Sequence, residues 1–154
     1  MITRSDLGKL PDAALAMVSA CNAAAVGFDL CARRTDDETI AVAARSAAAC
    51  VRALAGATVS AARGLGIDAR PRVRTCDRLR WEWLASTAMV VDGSADGRLL
   101  AECARILAEA DASAAVAFGE EIAARLRLAS AEAYSLASAV AQHRRGLALA
   151  FALT

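Results

Sequence analysis

Few side chains in this 154-residue chain could do chemistry. There is one histidine, His143, and there are five cysteines, Cys21, Cys31, Cys50, Cys76 and Cys103. A group of acids follows the middle of the chain: Glu102, Glu109, Asp111, Glu120 and Glu121. Six arginines, Arg63, Arg70, Arg72, Arg74, Arg78 and Arg80, lie close to Trp81 and Trp83. An imidazole with carboxylate partners binds metals or moves protons. Clustered thiolates hold soft metals such as Cu(I) or Zn. Carboxylates converging from several helices hold hard cations. Arginine beside aromatics contacts nucleic-acid backbone and bases.

Spacing weighs against each of these. His143 falls between Val140 and Leu147 on an apolar stripe. The bland expectation is a partly buried ring with its N–H satisfied. No cysteines form C-x-x-C. Cys21, Cys31 and Cys103 fall on inward stripes and Cys50 adjoins Val51, where a free thiol packs as a small hydrophobe. Glu102 and Glu109 are a heptad apart beside a stripe, and pairing with Arg98 and Arg105 on a solvated face is expected at ~0.3 kcal/mol per pair. Asp29 and Glu132 could join a site, but no spacing requires it. Asp68, Asp77 and Glu82 interleave with the arginines, and the net charge is +1. That stretch is expected to be a solvated or interfacial face, with no nucleic-acid partner. The chain has no P-loop, dinucleotide fingerprint, H-E-x-x-H or G-x-S-x-G. No residue is therefore assigned a catalytic, cofactor-binding or metal role.

The elements that would have to position these groups read as helices. Hydrophobic residues make up 57% of the chain and aromatics only 4%, so the core must be built from small side chains. Alanine, roughly a quarter of all residues, loses no side-chain entropy in a helix. With Pro 2 and Gly 9, there are few places to break helices. The N-terminal residues lack the basic start and apolar run of a signal peptide. No stretch reaches the ~18 uninterrupted apolar residues of a membrane span. A mean hydropathy of +0.38 then means buried small residues. The expectation is a cytoplasmic protein with reduced thiols and no membrane partner.

The first helix is expected from about Pro11 to Arg34, with Leu10, Ala14, Met17, Cys21, Ala24, Phe28 and Cys31 as its stripe. The second follows a Thr35–Glu38 capping box, carries Ile40, Ala44, Ala47, Val51, Leu54, Thr58, Ala61 and Leu65, and ends at Gly66 as a left-handed cap. Ile67 to Arg74, broken by Pro71, forms a crossover. A short helix from Thr75 to Val91 places Trp81, Leu84, Ala88 and Val91 on one side, and Asp92-Gly93-Ser94 is a turn. The next helix runs from about Ala95 to Phe118, or through Gly119 to Leu126, along Leu100, Cys103, Leu107, Ala110, Ala114 and Ala117. The last starts with Ser130 as its N-cap and reaches Ala150, along Ala133, Leu136, Val140, His143, Leu147 and Ala150. These elements make one domain spanning residues 1–154.

Within this frame, GLGIDARP at 64–71, WEWL inside the short helix and SADGRLLAECARILAEADASAAVAF at 94–118 carry a resemblance. The chain resembles a bacterial family of ferritin-like four-helix bundles of unknown function, often grouped with stress-associated ferritin-like proteins. The resemblance spans roughly Leu10 to Ala150. It implies an all-α, ferritin-like four-helix bundle with a short extra crossover helix. Ferritin-like iron sites use a Glu on two helices and Glu-x-x-His on two others. Here the second helix has no Glu after Glu38, and Val140 stands where Glu-x-x-His143 needs its acid. No ligand is carried over. The expected function is a non-enzymatic structural or interaction module, dimeric or larger or bound to a protein partner, without a di-metal site. The alternative is a metal-binding bundle, with a soft metal on the cysteines or iron at an atypical carboxylate–His143 site.

Overall fold

The computed structural model describes residues 8–70, 75–110 and 116–153, and the side chains within them except 75–77, 116, 144, 147–149 and 151. The described residues are all-α. They form α1 (Leu10–Arg34), α2 (Glu38–Gly64), α3 (Thr75–Asp92), α4 (Asp96–Glu109), a 3-10 turn (Val116–Phe118) and α5 (Glu120–Ala152).

Local chemistry sets most of the boundaries. Pro11 opens α1 where its missing N–H is no loss. Asp37, rather than Thr35, caps α2, accepting from the N–H groups of Thr39 (2.8 Å) and Ile40 (3.4 Å). The expected Thr35–Glu38 capping box does not form: the Thr35 hydroxyl accepts from the Asp37 N–H at 3.2 Å and donates elsewhere, as shown below, and Glu38 pairs with Arg45. Gly66 takes φ +78° and ends α2 in a Schellman motif: Ile67 N–H donates to Ala62 O and Gly66 N–H to Arg63 O, both at 2.9 Å. Gly93, at φ +71°, makes the turn from α3 to α4.

The boundary between the last two helices differs from expectation. Helix α4 stops at Glu109. Gly119, at φ +124°, interrupts the chain rather than carrying a helix to Leu126. Helix α5 starts immediately after it, with Glu120 and Glu121 against its positive end. Ser130 is therefore half-buried inside α5 and is not an N-cap. No Gly or Pro lies between Glu120 and Ser130 to stop the helix from starting early. Pro71, Arg72, Arg74, Asp111 and Ala114 lie outside the described residues.

Helix α1 packs most extensively on α2 and then on α4; α4 packs on α5, and α5 returns to α2. The four thus form a closed cycle, and α3 lies outside it against α1 and α4. The core is built as composition demands, from Ala with a few Leu, Val and Cys and the rings of Phe28, Trp81 and Phe118. On α1 the expected stripe is buried except for half-buried Leu10. On α2, Ala44, Val51, Leu54 and Thr58 are buried as expected, while the rest of the buried face rotates onto Ala41, Ala48, Ala55 and Ala62 and leaves Leu65 exposed. Helix α5, at 33 residues, is far longer than α4, at 14. Gly97 at the start of α4 lies beside Val140, the last buried residue described on α5.

Candidate functional site

The most connected polar group in the core is Asp96, which opens α4 and is 5% exposed. Its Oδ2 accepts from the Thr35 hydroxyl at 3.1 Å. Its Oδ1 accepts from the Ser94 hydroxyl and the Gly97 N–H, both at 2.7 Å. The Cys31 thiol points at the Asp96 carbonyl, 4.0 Å away. This junction ties the α1–α2 connection to the α3–α4 turn. A carboxylate at a helix N-terminus, filled by hydroxyl and amide donors, is a structural device that satisfies orphan N–H groups.

Two turns along, Gly27 of α1 faces Trp81 of α3 and Cys103 of α4. A β-carbon built on Gly27 would fall 2.5 Å from Cys103 Sγ and 2.7 Å from Trp81 Cζ3. Only glycine admits the indole between the helices. The Cys103 thiol donates to Ala24 O at 3.5 Å. Cys103 Sγ lies against Gly27, one turn before Cys31 on α1, and the two thiols are near enough that charge on Cys31 adds to the rise at Cys103. Burial pushes the Cys21 thiol up to about 11 and the Cys103 thiol well above its ordinary value. Cys50, by contrast, is exposed on α2. Among the described residues no three His, Cys, Asp or Glu side chains come together as a metal-holding group.

His143 is exposed, which corrects the expectation of a partly buried ring. The four–three spacing continues along α5 beyond Val140, but the α4 wall it would face has ended at Gly97. The acids are engaged by arginines. Arg105 bridges Glu102 and Glu109, and Arg80 also reaches Glu102, at 3.2 Å. The Arg105 hydrogen bond holds the Glu102 carboxyl below its ordinary value. Arg98 pairs with Asp92 at 2.6 Å instead of joining the Glu102–Glu109 row. Glu120 pairs with Arg127, and Asp29 with Arg52. Glu121 and Glu132 are exposed.

The arginine stretch is dispersed. Arg70 pairs with Asp68 at 3.2 Å and Arg80 with Glu102, while Arg63 and Arg78 are exposed with no ion pair among the described residues. Trp81 is buried, so only Trp83 could stack on a base.

Two surface features escaped the sequence reading. An open, apolar groove of about 760 Å³ runs between α4 and α5, lined by Ala101, Ala108, Leu126, Tyr134 and Ala137 among others. The outer face of α3 shows Leu79, Trp83 and Val90, and Val91, expected inward with Trp81, is also exposed. Tyr134 beside Ala131 and Ala137 could have signalled the first, and the Leu79–Trp83–Val90 spacing the second.

By length and composition, α1 and α2 are apolar enough to cross a membrane, although α1 buries just over half of its apolar window within the fold. In comparisons with family models, curated proteins and solved structures, nothing matches this chain.

Proposed function

We propose that this chain is a ferritin-like four-helix bundle of α1, α2, α4 and α5, with α3 as a short crossover helix. On this reading it is a non-enzymatic structural or interaction module, without a di-metal site, that associates with itself or with a protein partner. The closed cycle of four helices supports the bundle.

One observation carries the functional reading: the polarity of the helices is inverted relative to a catalytic bundle. Inward positions on α1, α2 and α4 are apolar or Cys apart from Thr58 and Asp96, whose polar atoms are engaged in hydrogen bonds within the fold. The acids pair with arginines at the surface, and large apolar side chains are displayed outward at Leu79, Trp83, Val90 and Tyr134. Exposed apolar patches of this kind mark protein contacts.

Sedimentation of protein purified reduced and without chelator, with metal content measured on the same sample, tests the reading. Assembly beyond the 15.9 kDa chain, or a specific protein partner, without stoichiometric metal is expected. Near-stoichiometric iron, copper or zinc would replace this reading with the metal-binding one.

A further inference from the structure

We infer that the last turns of α5 dock on an anionic lipid surface, with Arg144 and Arg145 at the headgroups and residues 146–153 in the interface beneath them. This goes beyond the interaction reading above, does not depend on it, and reverses the expectation of no membrane partner.

Helix α5 outruns its neighbours. Val140 lies beside Gly97 at the start of α4. Helix α2 begins at the same level, because Thr35, just before it, bonds to Asp96. These are the two long helices on which α5 packs, and neither accompanies it further. Residues 141–152 carry α5 about 18 Å past that level. From Gln142 to Leu153, every residue whose side chain is described is exposed, Leu153 at 86%.

This overhang is segregated in charge and polarity. No acid occurs from Ala133 to Thr154. His143, Arg144 and Arg145 stand in succession. At about 100° per residue, their positions spread across roughly 200° of the helix circumference. Arg145 has no ion pair among the described residues. Residues 146–153 then contain only Gly, Ala, Leu and Phe, so no side of these turns is polar. A stable helix apolar all round is buried, in a protein core or in lipid.

Charge selects lipid. Basic positions followed at once by an apolar stretch match a layer of anionic headgroups over acyl chains. The apolar groove of a second copy offers no such match, since the carboxylates beside it, Glu102, Glu109 and Glu120, are already held by Arg105 and Arg127. Residues 146–153 are too few to cross a bilayer, which takes about 20. They suffice for the depth of about 5–10 Å at which interfacial helices lie. Leu147 stands about 10 Å past the bundle, which keeps Asp36, Asp37 and Glu38 at that end about a Debye length from the lipid. With two arginines the binding is weak and reversible.

The test is co-sedimentation of the full chain with two kinds of vesicle, at low and at high salt. One is phosphatidylcholine alone; the other is two parts phosphatidylcholine to one part phosphatidylserine. Binding only to the anionic vesicles, lost at high salt, is expected. Arg144→Gln combined with Arg145→Gln should weaken it roughly 10- to 30-fold. Leu153→Glu should weaken it at least about 10-fold. Trp83→Glu on α3 and Tyr134→Glu in the α4–α5 groove should leave it unchanged. Arg145, Leu153, Trp83 and Tyr134 are all exposed, so circular dichroism should not change. A wild type that binds neither vesicle overturns the inference. So does binding that survives both α5 changes or is lost in Trp83→Glu. An assembly of the chain that Leu153→Glu dissolves, with no vesicle binding, also overturns it and gives this segment to a protein contact.

Discussion

Gly27 of α1 lies directly against the six-membered ring of Trp81 on α3, with no room for a β-carbon between them. Gly27→Ala would gain up to about 1 kcal/mol of helix propensity. It would also force the indole and the Cys103 sulfur apart, at about 1–3 kcal/mol of overpacking. Net destabilisation is expected, read as a lower thermal midpoint. Combining it with Trp81→Leu should recover part of that loss, since the two residues share one contact. A stabilised Gly27→Ala protein would show that the contact is loose.

Asp96 predicts a different kind of loss. Asp96→Ala leaves the Thr35 and Ser94 hydroxyls and the Gly97 N–H without their acceptor. The expected cost is about 1–3 kcal/mol in urea denaturation. Amide exchange should accelerate in the first turn of α4 more than in α2. Uniform acceleration would mean the junction has no local role.

Alkaline pH should unfold the chain through its thiols. The Cys21 and Cys103 values are raised by burial, so both thiols stay protonated in the folded chain while the unfolded one ionises from about 9. Their stabilising effect is complete below that pH and is lost as pH rises toward about 11 for Cys21. A shift of this size corresponds to about 2–3 kcal/mol. Urea midpoints from pH 8 to 11 should fall, and Cys21→Ala should flatten the fall.

The Glu102–Arg105 pair acts at the other end of the scale. The lowered Glu102 value means its contribution is present above the ordinary carboxyl value of 4.5 and disappears as pH falls through the lower folded value. Because Arg105 is 45% exposed, Glu102→Gln should cost only a few tenths of a kcal/mol at neutral pH, and less in high salt. A loss near 2 kcal/mol would mark the Arg80–Glu102–Arg105–Glu109 row as a cooperative network.

The long helices were legible because their neighbours run alongside them. The four–three stripe of α1 is buried from Ala14 to Cys31 because α2 and α4 flank it. Periodicity says nothing about where a neighbour ends, which is why His143 read as inward and is exposed. Cap signals were legible at Gly66 and Gly93, where one backbone conformation admits glycine at least cost. At the start of α5, Gly119 and Ser130 were both plausible locally, and the uninterrupted helix decided for the former. The Thr35–Asp96 bond joins residues 61 apart, and no local spacing announces it. On α3 the expected inward residues Trp81 and Ala88 are buried and only Val91 departs, since inward and outward stripes on that helix are both apolar and tertiary contact alone separates Trp81 from Trp83.

The three-residue connection between α1 and α2 also bears on the order in which the chain folds. The most extensive helix pair is joined by a link of only three residues, so its closure entropy is small and it can form first. Closing α2 onto α5 joins helices separated in sequence by α3 and α4, a far longer loop. An early hairpin of α1 and α2 would expose Ala24 and Cys31 before α4 arrives to cover them. A nascent chain that stalls before Asp96 would present those side chains to solvent, and its yield in a cell would then depend on how quickly α4 follows.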